Sequence, residues 1–443
     1  MGDVTSLRSR STEALHAKAQ ALIPAGCHTY SRGDDQFPAN APRLLERAKG
    51  CRCWDPDGHE YLDWGMGMRA VSLGHAYPRV LEAVRDQLER GSNFTRATPV
   101  EVELAECLAE LIPSAEMVKF AKNGSDVTSA AVRLARAYTE RDLVARCRDN
   151  PYLSKHDWFI GSTPVNAGVP TAVQALTLLF DYNRLDTLEA LFAQHPGQMA
   201  CVIMEPASST EGPQPGYLEA VQSLCRREGA VLIFDEIITG FRWNLRGAQH
   251  AFGVTPDLST FGKAMANGFS VSALVGRREI MERGGLQHPH RRVFLLSSTH
   301  GAETHALAAS VATIREMQER DVVGHIWRIG RMLQEGFNVL AEEFGIAAHL
   351  AMQGAPCSPS VITRDHTRQV SMEFRTLFLQ EMIAAGILMP WIGISFSHGE
   401  AEVVQTLEAA KRMMGVYRRA LEAKTARPFF EGPAVKPIFR PYN

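Results

Sequence analysis

The sequence predicts an α/β fold: a large domain on a mostly parallel sheet, seven-stranded in type, joined to a smaller α+β domain. Three observations carry this expectation. The apolar runs CVIMEP (Cys201–Pro206) and AVLIFDE (Ala230–Glu236) are too continuous for strands with one wet face, so their sheet is covered on both sides. A helical stretch, LEAVQSLCRREG (Leu218–Gly229), separates them, as a crossover between parallel strands requires. Polar residues follow at the carboxyl ends of such runs: Lys122-Asn123-Gly124, Glu205 and Asp235. That is the edge where parallel sheets collect ligands.

The other elements follow in order. Leu7 to Leu22 reads as an amphipathic helix stopped by Pro24 and Gly26. CRCWDPDGHEYLDW then gives short β-rich runs around Asp57-Gly58, a hairpin turn signal. Val80, Leu81, Val84 and Leu88 recur at helical spacing, and a second helix from Pro99 to Leu111 turns Val102, Leu104, Leu108 and Leu111 inward before Pro113. Met117–Lys122 is a short strand. Ser125–Tyr138 is a helix packed through Val127, Ala131, Leu134 and Ala135. The segment from Asp321 to Tyr417 mixes helix and strand, and the proline-rich end reads as a surface wrap. The expected division is residues 1–90 for an N-terminal arm and part of the small domain, 91–325 for the large domain, and 326–443 for the rest of the small domain.

A chain of 443 residues can bury two cores. Its 22% charged and 45% hydrophobic residues, with net charge −2, give no reason to expect nucleic acid or an anionic membrane as partner. The opening residues lack a secretory apolar core, and no run reaches the roughly 18 apolar residues of a membrane span. A cytoplasmic location is expected. Of the eight cysteines, Cys51 and Cys53 are close together, but no second pair or histidine pair stands at zinc spacing. Reduced thiols and no metal are expected.

The chemistry lies in two stretches. FGKAMANG sets Lys263 among small residues rather than on a charged face. A lone lysine is usually a solvated surface residue, but in a tight pocket its amine loses basicity and attacks carbonyls. FDEIITGFRW puts Asp235 behind a buried run, where a carboxylate needs a positive partner. A protonated pyridine nitrogen is such a partner, and a pyridoxal phosphate (PLP) site needs both a Schiff-base lysine and this carboxylate. Glu236, pointing the other way, is expected to brace a loop. Asn123-Gly124-Ser125 follows a strand and opens a helix, so its free amides suit a phosphate.

The ordered set NGSD…RLARAYT, IMEP, FDEIITGFR, PDLSTFGKAMANG and LSSTHGAE resembles the class III (ornithine-type) aminotransferases of PLP fold type I, the aspartate aminotransferase-like fold. Within them it is most similar to the glutamate-1-semialdehyde 2,1-aminomutases and their sugar and aldehyde aminotransferase relatives. The resemblance runs from about Pro24 to Met413. It implies Lys263 as the Schiff-base residue and Asp235 as partner of the ring nitrogen. It places Gly124 and Ser125 at the phosphate, with Thr299 joining from the second subunit of a homodimer. Ile237, on the same strand face as Asp235, would pack against the ring, and Glu205 matches an acid near the cofactor. Arg32 matches the aminomutase position that grips a substrate carboxylate.

One departure bears on substrate. The family's Tyr-His-Gly run is replaced in CRDNPYLSKHDWFIGSTPVNAGVP, where Tyr152 is the candidate for stacking on the ring and His156 the second choice. The function implied is transfer of an amino group from a small-molecule donor, L-glutamate, to an aldehyde or keto group of a small carboxylate-bearing or sugar-acid acceptor, an oxidised octulosonate for example. The rival is the aminomutase itself. A non-catalytic PLP-fold binding protein is the lesser alternative, and no helix-turn-helix segment supports a regulator.

Overall fold

The structure, a computed structural model, describes residues 11–442 apart from Ser209. Leu7 to Arg10, the start of the expected first helix, lie outside the described residues. The chain forms two compact units. The first runs to Met68, adds Leu73–Tyr77 and closes with His325–Arg440; the second holds Arg69–Ser72 and Pro78–Gly324.

In the first unit the helix Thr12–Leu22 begins where Ser11 Oγ accepts the Ala14 amide at 3.3 Å. Strands β1 (Arg47–Lys49), β2 (Arg52–Trp54) and β3 (Glu60–Asp63) form an antiparallel meander. The turn between β2 and β3 contains Gly58 at φ +90°, a conformation that only glycine adopts at little cost.

The sheet of the second unit organises the site. Its strands are β4 (Met117–Ala121), β5 (Leu143–Cys147), β6 (Thr177–Phe180), β7 (Met199–Met204), β8 (Val231–Asp235), β9 (Leu258–Phe261) and β10 (Ser272–Gly276). They lie in the order β4-β10-β9-β8-β7-β5-β6. β10 is antiparallel to both neighbours and the remaining pairings are parallel. Every residue of β7 and β8 is buried, as the continuous apolar runs require. The helix Tyr217–Glu228 covers one face with Leu218, Val221 and Leu224, each worth about 2 kcal/mol of apolar burial.

Four of these strands carry no clear sequence signal, and β5 shows why. Arg146 interrupts its apolar run yet is buried, its Nε donating to Ser162 Oγ at 2.6 Å and Nη2 to the Ser162 carbonyl at 2.8 Å. Two expected inward residues also face solvent. Val102 is 55% exposed and Leu88 50% exposed. Val102 stands two residues, hence roughly 200°, from buried Leu104, so the two cannot share one helical stripe.

The first unit resumes with β11 (Leu350–Gln353), antiparallel to β12 (Ser360–Thr363). β13 (Ile387–Leu388) then pairs parallel with β3 and completes the order β1-β2-β3-β13. The proline-rich end is tied to the N-terminal arm. Lys436 N donates to the Asp35 carbonyl at 2.8 Å, and Arg440 Nη2 to Asp35 Oδ2 at 2.6 Å. All eight cysteines are free thiols. Among the described residues no helix is long and apolar enough to cross a membrane.

Candidate active site

Strands β4, β7, β8 and β9 run the same way, so their carboxyl ends share one edge of the sheet. That edge carries Asn123–Ser125 beyond β4, Glu205 beyond β7, Asp235 at the end of β8 and Lys263 just past β9. Five of the expected site residues, Gly124, Ser125, Glu205, Asp235 and Lys263, are thereby gathered by topology.

Asp235 is buried, and its Oδ1 accepts from Ile237 N at 3.0 Å and Thr260 Oγ1 at 2.9 Å. Thr260 is its register partner on β9, so the sheet itself supplies one donor. Both bonds end on Oδ1, which leaves Oδ2 for another donor. Burial pushes the Asp235 carboxyl up to about 6, against the opposing pull of the Ile237 amide and Lys263.

Lys263 opens the short 3-10 turn Lys263–Ala266 at φ +41°, among buried Ala264, Met265 and Ala266. Burial drives its amine well below the usual lysine range; Asp235 and Glu205 oppose this, while Arg69 and Arg242 add to it. Glu205 is buried, with its amide donating to Asn150 Oδ1 at 3.0 Å. Burial and the charge of Asp235 push its carboxyl far above the usual range. The buried Nδ2 of Asn150 has no protein acceptor.

The helix Gly124–Thr139 presents its N-terminus at the same edge, capped by Asn123 Oδ1 on the Asp126 amide at 3.2 Å. Ser125 Oγ accepts the Lys155 amide at 3.0 Å and lies 3.1 Å from the Tyr152 hydroxyl. Tyr152 is 48% exposed and meets Phe159 edge-on at 5.9 Å. The ring expected to stack thus has its hydroxyl at the anion cradle. His156 is exposed, just before the helix Asp157–Ile160.

Ile237 does not lie on the strand face expected for it. The strand stops at Asp235, so Ile237 sits in the following turn and not on a continuing strand face. Its side chain wedges between two glycines: a Cβ built on Gly124 would lie 3.2 Å from Ile237 Cδ1, and one on Gly262 3.1 Å. A side chain at either glycine would displace it. Thr299 lies exposed in a turn, its carbonyl accepting from Asn93 Nδ2 at 3.0 Å. Arg32 lies exposed in the first unit, at the end of the 3-10 turn Tyr30–Arg32.

Glu236 braces a loop as expected. Its fully buried carboxylate accepts from Ala248 N (2.6 Å), Gln249 N (3.0 Å), Gln249 Nε2 (3.1 Å) and Thr239 Oγ1 (3.1 Å). Glu236→Ala leaves these donors buried and unpaired, an expected loss of about 3–5 kcal/mol that thermal melting reads directly.

Sequence reasoning passed over Arg242 and Arg69. Arg242 is fully buried, and its Nη2 donates to the Arg69 carbonyl at 2.9 Å. An arginine in a loop reads as exposed; only the three-dimensional packing shows that this one is enclosed.

The residues present fit PLP. A buried aspartate with one open oxygen suits its ring nitrogen, an amine of lowered basicity its aldehyde, and a helix N-terminus with the Ser125 hydroxyl its phosphate. Comparison with known proteins agrees. The aminotransferase class-III pattern matches residues 31–396. The chain is 33% identical over 426 residues to a glutamate-1-semialdehyde 2,1-aminomutase of Roseiflexus castenholzii, covering 91% of this chain and 97% of that protein. It is also 33% identical over 424 residues to a 3-aminobutyryl-CoA aminotransferase of Cloacimonas acidaminovorans, covering 94% and 99%. Among solved structures, the PLP internal aldimine form of the FumI protein of Sphingopyxis sp. MTA144 superposes with a TM-score of 0.86 at 25% identity, covering 94% and 99%. With this match across most of its length, the chain belongs to the class-III aminotransferases and is a PLP-dependent enzyme.

Proposed function

We propose that the enzyme transfers an amino group from L-glutamate to the aldehyde or ketone of a small, carboxylate-bearing acceptor, a sugar acid such as an oxidised octulosonate among them. The single observation that carries the reading is the pairing, on one sheet edge, of a lysine of lowered basicity with a buried aspartate whose Oδ2 is open. PLP, when bound, supplies the electron sink that makes the substrate's α proton labile. Asp235 would hold a proton at the ring nitrogen. Lys263, freed by the incoming donor, would carry the proton from the substrate α carbon and return it, which is general acid–base work by a positioned amine. Gly124 and Ser125 would hold the phosphate, with Thr299 of a second copy; the exposure of Thr299 in the single chain supports a homodimer. Arg32 would anchor the substrate carboxylate. A cytoplasmic enzyme is in keeping with eight free thiols.

A second reading, the 2,1-aminomutase, is favoured by the name of the Roseiflexus relative. Stoichiometry separates the two. The PLP-loaded enzyme is titrated with L-glutamate while absorbance and 2-oxoglutarate are followed together. Loss of the lysine-bound cofactor band with an equivalent of 2-oxoglutarate is the expected result. No spectral change and no keto acid would sink the glutamate-dependent reading, and glutamate-1-semialdehyde would then be expected to react without any external donor.

A further inference from the structure

The first turns of the helix Gly124–Thr139 carry three hydroxyls on one face, Ser125, Thr128 and Ser129, spaced i, i+3 and i+4. All three meet a single later segment, residues 152–158. Thr128 Oγ1 donates to the Leu153 carbonyl at 2.8 Å. Ser129 Oγ accepts the Trp158 indole N–H at 2.9 Å and lies 3.0 Å from Ser154 Oγ. Ser154 Oγ in turn accepts the His156 amide at 3.2 Å. Thr128, Leu153 and Ser154 are buried, so water does not compete for these bonds. The segment is thus sewn to the helix from Leu153 to Trp158, and two further contacts fall on Ser125.

Those contacts govern what the Ser125 hydroxyl can do. A hydroxyl has one hydrogen to give and two lone pairs to fill. The Lys155 amide donates into Oγ at 3.0 Å and occupies one lone pair. The Tyr152 hydroxyl lies 3.1 Å away, and either oxygen can be the donor. If Ser125 donates to Tyr152, its hydrogen is used up within the protein. If Tyr152 donates to Ser125, both lone pairs are filled and the hydrogen goes to a third group. A fully ionised phosphate at the helix N-terminus selects the second arrangement, because it accepts hydrogen bonds and cannot donate them.

We propose that Tyr152 is a positioning residue for the cofactor's phosphate: its hydroxyl, together with the Lys155 amide, turns the Ser125 hydrogen toward that group. The inference rests on the PLP reading above and deepens it. It gives Tyr152 a role other than stacking on the ring. The Tyr152 ring is met edge-on by Phe159 at 5.9 Å, and the Arg146 guanidinium lies over Phe159 at 4.8 Å. One end of the tyrosine is therefore braced by packing while the other reaches Ser125, and the seam through Thr128, Ser129, Ser154 and Trp158 keeps the segment from drifting off the helix.

The test titrates the full chain, stripped of cofactor, with PLP and separately with pyridoxal, which has the same ring and aldehyde but no phosphate. Absorbance of the lysine-bound form reads both. Ser125→Ala should weaken PLP binding about 10- to 100-fold, the loss of a hydrogen bond to a charged group, and Tyr152→Phe about 5- to 10-fold. Neither should change pyridoxal binding by more than about 2-fold, and that unchanged titration also shows the lysine turn to be intact. The double variant should bind PLP no more weakly than Ser125→Ala alone, since Tyr152 acts only through Ser125. Wild-type PLP affinity in Tyr152→Phe, as a purely stacking ring would give, overturns the proposal. Equal weakening of PLP and pyridoxal, or losses that add in the double variant, overturns it as well. If the wild-type chain forms no lysine-bound band with either aldehyde, or Lys263→Ala forms one, the PLP reading itself has failed and takes this inference with it.

Discussion

Lys263→Ala is expected to lose the spectrum of lysine-bound PLP and to lower turnover by about 10³-fold or more, since the variant lacks both the amine that holds the cofactor and the group that moves the proton. The fold should survive. Ala264, Met265 and Ala266 stay packed, and alanine at φ +41° is no more strained than lysine. Thermal melting of the cofactor-free variant should therefore stay near wild type. The lowered basicity of Lys263 predicts a pH dependence as well. The neutral, nucleophilic amine becomes populated below the pH at which a solvated lysine would lose its proton, so reactivity toward carbonyls should rise as pH climbs through the mildly alkaline range. Undiminished turnover in Lys263→Ala would end the assignment.

Asp235→Asn is expected to lower turnover by on the order of 10³-fold, because the amide cannot hold a proton on the ring nitrogen against its release. The carboxylate is retained against stability. Its folded pKa of about 6 lies above the unfolded value of 3.8, so its contribution is fully present below about pH 4 and is lost as pH rises through 6. At neutral pH that loss amounts to about 3 kcal/mol in the cofactor-free protein. Cofactor-free Asp235→Asn should accordingly melt no lower than wild type near pH 7, even as the holoenzyme loses activity. A variant that melts far lower and keeps its turnover would make Asp235 a structural residue. The protonated ring nitrogen is the charge that would bring the wild-type carboxyl back down, which couples cofactor binding to stability.

The main elements of the second unit were legible because each has a strong local cause. β7 and β8 are uninterrupted apolar runs, and the helix Gly124–Thr139 opens on an asparagine cap. β5, β6, β9 and β10 were not legible. They are four or five residues long, and β5 carries an arginine two of whose hydrogen bonds go to Ser162, 16 positions on. The same holds for the site. Lys263, Asp235, Glu205, Gly124 and Ser125 could be named from motif and strand ends. Arg242 and Arg69 could not, since the burial of one and the left-handed backbone of the other, at φ +66°, depend on contacts 173 positions apart in sequence.

By itself the sequence determined the periodicities, the strand ends and the order of the chemistry-bearing motifs, because these depend on near neighbours and on residue type. Only the tertiary structure decided that β4, β7, β8 and β9 run parallel with one shared carboxyl edge, and that Ile237 leaves the strand to wedge between Gly124 and Gly262. It also decided that a buried arginine, Arg242, holds the backbone carbonyl of Arg69. The physical reason is the same in each case: burial removes water from charges and backbone alike, and which groups lose it depends on elements that meet only when the chain has closed on itself.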